Sequence, residues 1–136
     1  MNKTNMVMDG LCRLGYSPEL DEDGDVGFMF QMKAVYVAIG DQDDQFLSVV
    51  YPFMSIISED KSAAVAMATC NQLTRSLKLI KTTVAPEMDR VDATVEFYYY
   101  DENSLLQNLE HALKVLGCVG SIYRRTEKEL MSDNPD

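Results

Sequence analysis

Few residues in this 136-residue chain could carry chemistry: one histidine, three cysteines and one acidic run. His111 would have to anchor any histidine-based catalysis. Its neighbour Glu110 would point elsewhere, because successive residues on a helix face different ways. It reads as a helix-surface residue. Cys12, Cys70 and Cys118 are odd in number, far apart and each in a helix-like segment. Zinc draws several Cys and His ligands at close spacing, which these residues lack. They read as buried free thiols of a reducing cytosol. The run Asp21-Glu22-Asp23-Gly24-Asp25 has the alternating carboxylates of a calcium loop. An EF-hand, however, needs glycine at its sixth position and glutamate at its twelfth. Counted from Asp21, those positions hold Val26 and Met32. A solvated turn is the better reading. Phosphate loops of the GxGxxG and GxxxxGK[ST] kinds are missing from the sequence, as is a GxSxG elbow. The expectation is a protein that is not an enzyme and uses no cofactor and no metal.

Charge narrows the partners. With 22 acidic against 12 basic residues the net charge is −10. Such a surface repels phosphate backbones, whose neutralisation by Lys and Arg supplies most nucleic-acid affinity. It also repels anionic lipid. No stretch approaches the roughly 18 apolar residues of a membrane span. The longest candidate, residues 26–39, is interrupted by Gln31 and Lys33. The first nine residues have no apolar signal-peptide core. The expected partner is another protein, in the cytoplasm, with no nucleic acid and no membrane.

The elements that would present such a surface follow from periodicity. Thr4 can cap a first helix with Val7, Met8, Leu11, Cys12 and Leu14 on one stripe, stopped by Gly15 and Tyr16. Residues 26–33, 34–39 and 46–53 alternate as three strands separated by short polar turns. Ser58 or Asp60 opens a second helix. Strands at about 77–84 and 90–100 follow, the latter with Val91, Ala93, Val95, Phe97 and Tyr99 on one face. Asn103 or Ser104 caps a last helix, which Gly117 and Gly120 would end or kink. The pattern predicts an α+β fold of order α-β-β-β-α-β-β-α, an antiparallel sheet packed by helices. Residues 1–125 form one domain and residues 126–136 a fraying polar tail.

Two surfaces stand out. Tyr98 and Tyr100 should share the face opposite Val95 and Phe97, with Met29 and Tyr36 on the same exposed side; tyrosine is enriched at interfaces. Ala63, Ala66, Met67 and Cys70 form a small-residue stripe on the second helix, suited to close approach by the sheet or by a second copy. The tyrosine set is the candidate protein-binding site, and the stripe is the candidate homodimer interface.

With this order of elements, Leu11-Cys12-Arg13-Leu14-Gly15-Tyr16, the acidic turn entering Val26-Gly27-Phe28, and Ala68-Thr69-Cys70-Asn71 resemble the YbjN family. That family is labelled as bacterial sensory transduction regulators, and its fold is similar to the class I chaperones of type III secretion. The resemblance spans roughly residues 4–123. It implies a small cytoplasmic, non-enzymatic protein, often a homodimer, with a regulatory or chaperone-like role and no catalytic residues. A different class of function, a small-molecule or metal sensor with a pocket between sheet and helices, is the alternative.

Overall fold

Asn2, not Thr4, caps the first helix of the computed structural model, which describes residues 1–132. Its side chain accepts the Asn5 backbone N–H at 2.8 Å, and asparagine is the stronger cap of the two. Helix α1 (Lys3–Arg13) ends as its sequence predicts. Gly15 adopts φ +96°, and the Tyr16 and Gly15 N–H groups return to the carbonyls of Leu11 and Cys12. The returning Tyr16 ring packs 5.3 Å from Phe28 and 6.0 Å from Phe30.

The remaining elements are β1 (Glu19–Leu20), β2 (Val26–Phe30), β3 (Lys33–Ala38), β4 (Phe46–Ile56), α2 (Ala63–Ser76), β5 (Ile80–Val84), β6 (Arg90–Tyr98) and α3 (Glu102–Ser132). The three predicted helices and five predicted strands are present in the predicted order. The two-residue β1 is additional, too short to carry a visible alternation. All pairings are antiparallel, in the order β1-β2-β3-β4-β6-β5. One sheet face presents Phe28, Val35, Val49, Ala93, Val95 and their neighbours to a single core. All three helices lie on that face: α1 against β2, α2 against β5, and α3 across β4 and β6 between its two companions.

Helix starts differ from the expected ones by a few residues. Ser62 caps α2, accepting the Val65 N–H at 3.2 Å, where Ser58 or Asp60 was expected. At α3 the cap is Asp101. Its carboxylate accepts the Ser104 N–H at 2.8 Å while Ser104 Oγ accepts the N–H groups of Tyr100 and Asp101, a reciprocal box. The Ser104 backbone N–H and hydroxyl hold the Asp101 carboxyl below its ordinary pKa.

Helix α3 does not end at its glycines but runs through both. A Cβ on Gly117 would meet Gln31 Nε2 at 3.3 Å and Phe30 Cζ at 3.5 Å, so this glycine admits the β2–β3 hairpin against the helix. The expected fraying tail from residue 126 is also corrected up to residue 132. The helix continues to Ser132, with Thr126 and Glu127 buried and Glu127 paired to Lys61 at 3.1 Å. Residues 133–136 of that expected tail lie outside the described residues.

Candidate functional site

The sheet's other face carries no helix. Strand parity places Gly27 and Met29 of β2, Ala34 and Tyr36 of β3, and Val50 and Pro52 of β4 on it. Register brings them together: Met29 pairs with Ala34, Gly27 with Tyr36, and Tyr36 with Val50. The short β1 and the chain leading into it rise beside Gly27. The result is a concavity of about 550 Å³, floored by Gly27, Met29, Ala34 and Tyr36 and walled by Ser17, Glu19, Leu20, Asp21 and Pro52. Met29 is 60% exposed and Leu20 is also open to solvent, so apolar surface faces outward here.

Carboxylates surround this apolar floor. Burial raises the pKa of the Tyr36 phenol, and the charges of Asp25, Asp92 and Asp21 raise it further while Arg90 opposes them. Arg90 is itself heavily engaged, 3.3 Å from Asp92, 3.4 Å from Asp89 and 3.6 Å from Glu87.

Beside the concavity β4 breaks its register with β6 between Tyr51 and Ser55. Phe53 sits in that break at φ 55°, its N–H donating to Asp92 Oδ1 at 3.0 Å. A left-handed aromatic residue is uncommon and costs on the order of 1–3 kcal/mol. The bulge turns the ring outward, 55% exposed, with the Arg90 guanidinium 4.6 Å above it. In the sequence Phe53 looks like an ordinary strand end, and its place on this surface is hidden. The signal was Pro52: a proline inside a central strand is tolerated essentially only at a bulge.

The candidates named from sequence fall in different places. Met29 and Tyr36 share the concavity. Tyr98, 73% exposed, lies at the far end of β6 and stacks on its cross-strand neighbour Phe46 at 5.2 Å. Three strand spacings and six residues of β4 separate its row from that of Met29, about 14 Å across the sheet and about 20 Å along it. Tyr100 is exposed but lies beyond the strand, where its N–H donates to Ser104 Oγ and its carbonyl accepts from Gln45. The expectation that Tyr98 and Tyr100 share one sheet face is therefore corrected: the chain leaves the sheet after Tyr98 to cap α3.

The small-residue stripe divides as well. Ala66 and Cys70 are buried in the protomer's own core, and Ala63 is half-buried. The expectation of three buried thiols is corrected: Cys12 and Cys118 are exposed and only Cys70 is buried, which pushes its pKa up. Only Met67 of the four is exposed, at 48%. These two buried residues are spent on packing α2 against β5, where Thr82 Oγ1 donates to the Cys70 carbonyl at 3.1 Å.

The same contact closes a sheet edge. Thr74 Oγ1 accepts the Thr82 N–H at 3.0 Å, so α2 occupies the outward backbone of β5 that a further strand would need. His111 is exposed, beside a recess of about 120 Å³ between β6 and α3. Among the described residues no three His, Cys, Asp or Glu side chains converge to hold a metal. No helix among them is long and apolar enough to cross a membrane.

Comparison with known proteins finds a family model that matches most of the chain and solved structures of similar fold. The model of TY-Chap1, described as T3SS (YopN, CesT) and YbjN peptide-binding chaperone 1, matches residues 3–121. The crystal structure of YbjN from E. coli superposes with a TM-score of 0.68 at 6% identity, covering 93% of this chain and 92% of that one. The crystal structure of an uncharacterized protein from Methanothermobacter thermautotrophicus gives 0.51 at 10% identity, covering 90% and 96%. At such identities these two likenesses speak for the fold alone. No curated protein sequence matches the chain closely.

Proposed function

The chain belongs to the TY-Chap1 family of peptide-binding chaperones, and on that premise we propose that it holds an extended segment of another protein against the open face of its sheet. The observation that carries this siting is the uncovered apolar concavity of Leu20, Met29, Tyr36 and Pro52 beside the outward-turned Phe53. The cleft is within the usual size of ligand sites, and strained residues such as the exposed Phe53 cluster at functional ones. The family is a chaperone-like one rather than an enzyme family, and in this reading the protein performs no catalysis.

A panel of fluorescent unstructured peptides read by anisotropy tests the siting. Met29→Asp is expected to weaken the peptides that bind by about tenfold or more, since it puts a charge on the apolar floor. Being exposed, the substitution should shift the thermal midpoint by no more than about 2 °C. Binding that survives Met29→Asp intact would remove the open face from the reading.

The finer features of the proposal are a homodimer in the cytoplasm with no nucleic-acid partner. The charge of −10 supports the exclusion of nucleic acid, and three free cysteines support a reducing compartment. For self-association the outward stripe of α2 is Ala64, Met67 and Ala68, at i, i+3 and i+4. Met67→Glu is expected to halve the mass measured by light scattering. An unchanged mass would take α2 out of the interface.

A further inference from the structure

We propose that the segment held on the open face is basic: an extended stretch whose alternate apolar side chains enter the concavity and whose flanking Lys or Arg meets the carboxylates at its β1–β2 end. This inference rests on the binding role proposed above and names the chemistry of its ligand.

The charges around the concavity support it. Glu19 and Asp21 line the cleft, and Glu22, Asp23 and Asp25 continue the same turn. Among the described residues none of these five carboxylates forms an ion pair with a lysine or arginine. The cation whose charge reaches Tyr36, Arg90, is shared among Glu87, Asp89 and Asp92 and stacked on Phe53. Lys33 stands on β3, but its ammonium lies 5.5 Å over the ring of Tyr51, on the core side of the sheet. The apolar floor is therefore bordered by negative charge that the protein does not itself neutralise. An acidic segment would bring like charges together at a partly desolvated edge, which costs affinity. A basic one supplies the missing partner.

The extended form follows from the floor. Met29 and Tyr36 stand on neighbouring strands, spaced to receive side chains from one face of a strand-like ligand, about 7 Å apart along its chain. Ligand pairing as an added strand on β5 is disfavoured, because Thr74 already occupies the Thr82 N–H there.

The test uses labelled peptides of about twelve residues sharing one alternating Leu/Val centre, flanked by Lys, Ser or Glu, and a fourth with Lys flanks and a Ser/Gly centre. At about 50 mM NaCl the Lys-flanked peptide should bind about tenfold tighter than the Ser-flanked one, and the advantage should shrink severalfold at about 500 mM. The Glu-flanked and Ser/Gly-centred peptides should bind weakest. In the variant Glu19→Gln/Asp21→Asn the advantage of the Lys-flanked over the Ser-flanked peptide should fall to about twofold. Asparagine keeps the acceptor that Asp21 offers the Asp23 and Asp25 N–H groups, so the turn should persist. Equal affinity for all three flanks would overturn the charge inference and leave the binding role standing. A Lys advantage that survives the variant, or equal binding of the Ser/Gly-centred peptide, would overturn it as mere long-range attraction. No binding by any peptide would overturn both.

Discussion

Replacing Ala66 with Glu is expected to unfold the protein rather than to dissociate a dimer. Ala66 is 3% exposed in the core shared by α2, α3 and the sheet. A glutamate there must either bury an unpaired carboxylate or push α2 off the sheet. The site is already unfavourable to a negative charge, since the buried Glu127 carboxylate acts on Cys70, one turn along α2. Burying an uncompensated charge and overpacking the core together cost about 5 kcal/mol. That is comparable with the whole stability of many domains of this size, about 5–15 kcal/mol. Circular dichroism during urea titration should show no cooperative native baseline for Ala66→Glu. Met67→Glu, one residue further and 48% exposed, should keep a cooperative transition. A native-like transition for Ala66→Glu would mean that α2 does not pack against the sheet as described.

That contrast shows what a linear sequence can and cannot display. The stripe of Ala63, Ala66, Met67 and Cys70 was visible because helical spacing is local. Whether a small-residue face meets its own sheet or a second copy depends on where β5 runs, and that is not local. Strand parity likewise placed Met29 and Tyr36 outward and Val91, Ala93 and Val95 inward, because a two-residue period needs no partner to be read. The concavity itself was illegible. It requires β1, whose two residues carry no period, and the exposed ring beside it comes from a bulge that reverses the facing of Phe53. Tyr98 and Tyr100 fail as a pair for a related reason: alternation extended to Tyr100 overruns by two residues the strand's end at Tyr98, where the chain leaves the sheet so that Asp101 can cap α3. The length of α3 was hidden too. Gly117 and Gly120 resemble helix stops in isolation, and only the approach of Gln31 and Arg124 shows what the space is for. Likewise the burial of Glu127 depends on Lys61, far away in sequence.

Lys3 is the sharpest case of this kind, and its removal should produce the second large effect. At the start of α1, among polar residues, nothing marks it as buried, yet it is 1% exposed. Its ammonium donates to the Ile39 carbonyl at 2.8 Å, to the Asp41 carbonyl at 2.7 Å and to the Asp44 carboxylate. One side chain thus ties the first helix to the β3–β4 turn. Lys3→Met keeps the length of the side chain and deletes all three donors, leaving the buried Ile39 carbonyl short of a partner. Hydrogen bonds to a charged group contribute about 1.5–3 kcal/mol and an orphaned buried acceptor costs a further share, so the loss should be about 3 kcal/mol. That corresponds to roughly 10 °C in thermal midpoint for a domain of this size. Acid supplies the control. The Lys3 hydrogen bond, followed by the Phe46 backbone N–H, holds the Asp44 carboxyl below its ordinary pKa of 3.8. A carboxylate depressed in the folded state contributes stability above its unfolded pKa and loses it as pH falls through the folded value. The gap between parent and Lys3→Met should therefore be constant above about pH 5 and narrow on acidification below pH 3.8. Urea midpoints measured across that window decide the matter: equal stability near neutral pH would show that Lys3 anchors nothing, and a gap that widens in acid would show that Asp44 is not its charged partner.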